Sequence, residues 1–255
     1  MEQETMKRNK VFICGAGPGD PGLITVKAME LIKNSDVVFY DRLVSKEIID
    51  QIPSNSERIF VGRSVGDAAT HQDHTNKMMV AHANEGRRVL RLKGGDPFIF
   101  GRGAEEAEYL IKHNVEFEIV PGITSAIGSA AYAGIPLTHR RISSSVAIVT
   151  GHEDPSKKGP SVHWSNLGVA VNTLVILMGI EQLSQISSIL INSGMKKSTE
   201  VAIIENGTTK KQREIVGNLG NIVKKARSAK IEPPAIIIIG KVVSLQKKLA
   251  WFNRT

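Results

Sequence analysis

Asp41 and Arg42 follow directly on a short apolar run, Val37-Val38-Phe39-Tyr40. A carboxylate can accept a proton and a guanidinium can grip an anion, so this pair could do chemistry. Other early apolar runs end in similar text. Val11-Phe12-Ile13-Cys14 leads into GAGPGDPG (Gly15 to Gly22), and Ile59-Phe60-Val61 leads into Gly62 and Arg63. Val89-Leu90-Arg91-Leu92 leads into KGGDPF (Lys93 to Phe98). Glycine has no Cβ, so loops of this kind let backbone approach a ligand closely. A dinucleotide is one candidate, with Asp41 as the ribose-binding acid. That fingerprint is incomplete. Asp20 stands where a third small residue lets the helix pack on the strand, and Pro18 and Pro21 stiffen the loop.

Other chemistries find less support. His71, His74 and His82 surround a helical segment, but with no Cys pair or His-Glu-x-x-His spacing they read as solvated helix residues. No Gly-x-Ser-x-Gly elbow occurs, which removes the main hydrolase signal. Glu105, Glu106 and Glu108 read as an exposed face near a helix N-terminus, where negative charge is favoured. Met178 before Gly179 reads as core, and Cys14 as a small buried hydrophobe.

The elements that must position these residues alternate in kind. The strands just named are followed by helical patterns at Leu23 to Lys33, Ser45 to Gln51, Gln72 to Ala83 and Ala104 to Lys112, and Phe117 to Val120 closes the series. Such alternation implies a parallel sheet covered on both faces. In a parallel sheet all strand carboxyl ends share one edge, so the polar and glycine-rich segments converge where α/β folds bind ligands. After Pro121-Gly122 the text changes. Thr124 to Tyr132 reads as a small-residue helix, and strands are expected at Val146 to Val149, Leu174 to Leu177, Val201 to Ile204, Arg213 to Val216 and Ala235 to Ile239. Glu153 to Ser165 has the composition of an exposed loop. The expectation is two α/β domains, residues 1–121 with a parallel sheet and 122–255 with a mixed one.

Composition narrows the partners. The formal net charge is +8, which favours an anionic partner, either nucleic acid or an acidic small molecule. Basic residues are scattered, and the 5% of aromatics do not interleave with them, which speaks against a nucleic-acid stacking platform. Met1 to Lys10 is polar, without the apolar stretch of a signal peptide, and no apolar run reaches the roughly 20 residues of a membrane span. With its single cysteine the chain fits a reducing cytoplasm.

Taken together the motifs resemble the tetrapyrrole methylases, and within them the uroporphyrinogen-III C-methyltransferases. The matching text is GAGPGDPGLIT (Gly15 to Thr25), DVVFYDRLVS (Asp36 to Ser45), RVLRLKGGDPFIFGRG (Arg88 to Gly103) and VPGITSA (Val120 to Ala126). It continues through AYAGIPLTHR (Ala131 to Arg140), TGH (Thr150 to His152), LMG (Leu177 to Gly179) and ENGT (Glu205 to Thr208).

The resemblance implies S-adenosylmethionine held in a cleft between two α/β domains, a homodimer, and a tetrapyrrole substrate. Carried over by motif, the cofactor contacts are Pro18, Gly94, Gly95, Asp96, Ile99, Thr124, Ser125, Met178, Gly207 and Ala235, with no metal. Asp41 takes the place of the catalytic base. Relatives often have Lys after the third strand, assigned as a proton donor, and here Arg63 stands there. Arginine stays protonated and is unsuited to donating a proton in a cycle. A polycarboxylate substrate matches the basic charge, with Arg42, Arg63, Arg102 and Arg140 as bidentate partners. Without the dehydrogenase and chelatase module of fused siroheme synthases, the expected product is precorrin-2. A later corrin-pathway methylase, a diphthamide or ribosomal-RNA relative, and a cofactor-binding protein without catalysis stay open as alternatives.

Overall fold

A computed structural model describes residues 10–62, 70–152 and 162–252 of the chain. It divides into two compact units, Met1–Thr124 and Ser125–Thr255. In the first unit the strands are β1 (Lys10–Gly15), β2 (Val37–Tyr40), β3 (Glu57–Phe60), β4 (Val89–Lys93) and β5 (Glu116–Val120). They form one sheet in the order β3-β2-β4-β1-β5, and every pairing in it is parallel. Helices α1 (Val26–Asn34), α2 (Lys46–Ile49), α3 (Thr70–Asn84) and α4 (Gly103–Lys112) connect them.

Side chains alternate across a strand, so each strand feeds two cores. Phe12, Cys14, Val38, Leu90, Leu92 and Val120 pack with Ala28, Leu31 and Ile32 of α1 and Ile48 of α2. Val11, Ile13, Val37, Phe39 and Val89 pack on the other face with Met79, Val80 and Ala83 of α3 and Ala107 and Leu110 of α4. Both faces are covered, which is why the strands read as near-continuous apolar runs. Cys14 is fully buried, as expected, and burial pushes its thiol pKa up.

The first helix begins later than its periodicity predicts. Asp20 accepts a hydrogen bond from the Gly22 amide at 2.7 Å and opens a 3₁₀ turn, Pro21–Leu23. Thr25 then caps α1 by accepting from Ala28 N at 3.1 Å. The glycine loop is therefore separated from the helix N-terminus that a dinucleotide fingerprint sets against a pyrophosphate.

The second unit has α5 (Ser125–Tyr132), β6 (Val146–Thr150), α6 (Trp164–Ala170), β7 (Thr173–Leu177), α7 (Leu183–Asn192), β8 (Glu200–Glu205), β9 (Arg213–Asn218), α8 (Ile222–Ser228), β10 (Ala235–Ile239) and α9 (Gln246–Leu249). Its sheet runs β6-β7-β10-β8-β9 and is mixed: β6 and β7 are parallel, and the other pairs antiparallel. One face packs Ala126 and Ala130 of α5 on Val175, Ala202 and Ile236. The other packs Trp164, Ile186, Leu190 and Ile222 on Ile176, Ile203 and Ile237. The exposed-loop expectation for Glu153 to Ser165 fails at its end, because Trp164 is buried and begins α6, while residues 153–161 lie outside the described residues.

Candidate active site

At the carboxyl edge of the first sheet, three loops are tied together through glycine. Gly17 N donates to Gly95 O at 3.1 Å, and Gly95 N donates to Gly17 O at 2.7 Å. Both residues have positive φ, +79° and +69°. A Cβ on Gly15 would lie 2.5 Å from Gly95 O and 2.6 Å from Gly122 Cα, distances no side chain tolerates. Gly94 closes against the turn after β2, where an added Cβ would sit 2.4 Å from Leu43 Cβ. The glycines thus let the loops after β1, β4 and β5 touch.

Asp96 binds that assembly. Its Oδ1 accepts from Phe98 N at 2.8 Å and Ile99 N at 3.1 Å, and its Oδ2 accepts from Gly122 N at 3.0 Å. Both carboxylate oxygens are engaged by backbone, so the side chain braces the loop. Beyond it Phe98, Ile99 and Phe100 are left exposed. Phe100 and Arg102 hold positive φ, 55° and 59°, and Arg102 Nε donates to Glu105 Oε1 at 3.2 Å. Non-glycine residues in that region are strained, and such strain gathers at functional sites.

Asp41 lies on the same edge. Its Oδ1 accepts from Leu43 N at 3.0 Å, and its Oδ2 faces Gly94 N at 3.4 Å and the Arg91 guanidinium at 3.7 Å. Arg91 is itself buried and reaches back to Glu106 of α4, with Nε–Oε1 at 3.1 Å. Lys93 Nζ and Gln72 Nε2 donate to the same Glu106 oxygen at 2.9 and 3.0 Å. Glu106 is 0% exposed, which corrects its reading as part of a solvated helical face; Glu105 and Glu108 are exposed as expected. Burial alone pushes the Glu106 carboxyl up, but Arg91 and Lys93 outweigh it and hold it below the usual range. Burial, then the neighbouring Arg91 charge, lowers the Lys93 ammonium.

This network was missed in the sequence, although a signal for it exists. Arg91 and Lys93 alternate with Leu90 and Leu92, so they point to the covered α4 face and require a buried counter-ion. Gly62 ends the described stretch after β3, and Arg63 lies outside the described residues.

In the second unit the corresponding residues also share a sheet edge. Leu177 pairs with Thr150 on one side and Ile236 on the other, and Glu205 pairs with Ala235. Met178, Gly207 and Ala235 therefore lie at neighbouring strand ends. Met178 is 51% exposed with φ 54°, so it is not the core residue expected from its setting. Gly151 is packed so tightly on Gly179 that a Cβ there would be 2.3 Å from Gly179 Cα. Gly207 leans on α5, where a Cβ would meet Ser129 Oγ at 2.1 Å. Ser125 is the first residue of α5, and Thr124, just before it, is buried.

The histidine reading is corrected in part. His74 is exposed, but His82 Nδ1 meets Arg87 NH1 at 2.7 Å and its ring packs edge-on against Phe39 at 5.7 Å. Among the described residues no group of His, Cys, Asp and Glu could hold a metal ion, and no helix is long and apolar enough to cross a membrane.

Residues 10–223 match the model of the tetrapyrrole (corrin/porphyrin) methylases, and the chain belongs to that family. It is 48% identical over 236 residues to an S-adenosyl-L-methionine-dependent uroporphyrinogen III methyltransferase of Methanosarcina barkeri, covering 92% of each chain. It is also 48% identical over 246 residues to siroheme synthase 2 of Yersinia enterocolitica, covering 96% of this chain and spanning about half (51%) of that relative. Among solved structures, uroporphyrin-III C-methyl transferase of Thermus thermophilus complexed with S-adenosyl homocysteine matches at 36% identity and TM-score 0.78, covering 92% of this chain and 99% of that one.

Proposed function

We propose that this chain transfers methyl groups from S-adenosylmethionine to uroporphyrinogen III, giving precorrin-2 by way of precorrin-1, toward siroheme or cobalamin. The observation that carries this reading is the 48% identity to the Methanosarcina barkeri methyltransferase over 92% of both chains. The Thermus thermophilus structure with S-adenosyl homocysteine supports the same cofactor.

The residues present suit such a ligand. Ile99 and Met178 are apolar side chains left exposed at sheet edges, available to an adenosyl or thioether group. We assign cofactor contacts in the first unit to Pro18, Gly94, Gly95, Asp96, Ile99 and Thr124, with Asp96 acting through the loop it braces. In the second unit they are Ser125, Met178, Gly207 and Ala235. S-adenosylmethionine supplies an electrophilic methyl group on a sulfonium. A ring carbon of the reduced tetrapyrrole would take that methyl as the carbon–sulfur bond breaks and S-adenosylhomocysteine leaves, and Asp41 would accept the ring proton made acidic by the new bond. Alignment of carbon, methyl and sulfur is the larger task, and positioning can supply about 7–11 kcal/mol. We take the working enzyme to be a cytoplasmic homodimer, as the resemblance implies.

Labelled methyl from the cofactor should appear in the tetrapyrrole, with a mass gain of two methyl groups, and not in ribosomal RNA. Label in RNA alone would sink this reading. Arg63 we assign to a substrate carboxylate, since charge and reach survive the change from Lys while acid–base capacity does not. Arg63→Ala should then mainly raise KM for the tetrapyrrole, and Arg63→Lys should retain most activity. A severe fall in kcat at unchanged KM would give Arg63 a part in the transition state instead.

A further inference from the structure

The buried ions under Asp41 have no part in the chemistry as described so far. Arg91 and Lys93 are 5% and 4% exposed, and Glu106 is 0% exposed. Two cations thus share one buried carboxylate. Glu106 Oε1 accepts from Arg91, Lys93 and Gln72, while Oε2 has no hydrogen-bond partner among the described residues. The cluster by itself carries an uncompensated positive charge, which a low-dielectric interior disfavours. The carboxylate within reach that balances it is Asp41, whose Oδ2 lies 3.7 Å from the Arg91 guanidinium.

Around Asp41, Arg91 is the charged partner, an ion pair at 3.7 Å to Oδ2 that is longer than a hydrogen bond. Oδ1 is fixed by the Leu43 amide at 3.0 Å, while Oδ2 has a long approach to Gly94 N at 3.4 Å. Arg91 also donates to Leu92 O at 2.9 Å, so its guanidinium is held at two points, by Glu106 and by the backbone of β4. A planar guanidinium fixed at two points keeps its charge in one place, on the Oδ2 side of Asp41. Apolar residues of similar volume would fill the same space without a desolvation cost, so stability alone does not account for the ions.

We infer that Arg91, clamped by Glu106, is a positioning residue that orients the Asp41 carboxylate for proton acceptance. This rests on the proposed role of Asp41 as the base. The test is a set of variants, Arg91→Lys and Glu106→Gln, each made alone and combined with Asp41→Asn. S-adenosyl homocysteine binding, read by calorimetry, reports the fold in every case.

Each single variant should lower kcat by about tenfold or more while KM for the tetrapyrrole and the S-adenosyl homocysteine Kd stay within about twofold. In the Asp41→Asn background neither should lower kcat further, because the group they orient is already gone. Unchanged kcat in Arg91→Lys, or losses that multiply in the double variants, would overturn the positioning role. Should Glu106→Gln fail to bind S-adenosyl homocysteine, Arg91→Lys decides, since it keeps the buried charge and removes only the fork. If Asp41→Asn alone retains wild-type kcat, it is the assignment of the base that fails, and this inference falls with it.

Discussion

The central strands of the two sheets solve the same packing problem in opposite ways. β10, Ala235–Ile239, offers a run of isoleucines to two covered faces, and Ile237 and Ile238 are fully buried. β4, Val89–Lys93, is equally buried along its length, yet it carries Arg91 and Lys93 into the interior. An isoleucine in such a place contributes about 1.5–3 kcal/mol by burial alone. A buried ion contributes nothing comparable unless its partners are complete, and losing one partner is costly. The difference teaches where the fold gives way to chemistry: β10 is built for cohesion, and β4 carries ions that end beneath Asp41.

Removing one ion from β4's cluster should have the largest effect on stability. Glu106→Ala strands two buried cations and should cost about 3–5 kcal/mol in denaturant unfolding. Because the Glu106 carboxyl is held below the usual range, its contribution is present above the ordinary glutamate pKa of about 4.3 and is lost as pH falls through its lower folded value. The acid limb of the wild-type stability profile should therefore flatten in Glu106→Ala. Ile237→Ala in β10 should cost about 2–5 kcal/mol through the cavity it leaves, with no comparable dependence on acid pH. Replacing all three ions, Arg91→Met with Lys93→Met and Glu106→Leu, should have the smallest effect on stability, neutral or stabilising by about 1–4 kcal/mol, while turnover falls. A large loss of stability in that triple variant would make β4 a cohesive strand like β10 and remove the contrast.

Much of this architecture could be read from the residues. Alternating apolar runs and helical periods marked the first sheet to within a residue or two, since strands buried on both faces leave a strong signal. The sheet edge could be found because Gly15 to Gly22, Asp41 and Lys93 to Phe98 each follow a strand. The second unit was harder. Leu183–Asn192 is interrupted by Ser184, Ser187 and Ser188, which dilute its helical period, and α6 and α8 are only seven residues each. The site was legible as a set of loops but not as contacts. Nothing in KGGDPF announces that Asp96 spends its carboxylate on the Phe98, Ile99 and Gly122 amides. Met178 looks apolar and core-like in the text, yet it stands half exposed at positive φ. Glu106 sits in an acidic helix start, where a helix dipole already explains it, so the demand for a counter-ion in β4 went unmatched.

The most direct measurement is a single turnover with labelled S-adenosylmethionine already bound, mixed with uroporphyrinogen III, for the wild type and Asp41→Asn. The account predicts methyl transfer to the tetrapyrrole in the wild type and a rate slower by about 10²–10⁴-fold in Asp41→Asn, with binding of S-adenosyl homocysteine unchanged. Equal rates in the two proteins would contradict it, as would a wild type that leaves the tetrapyrrole unlabelled.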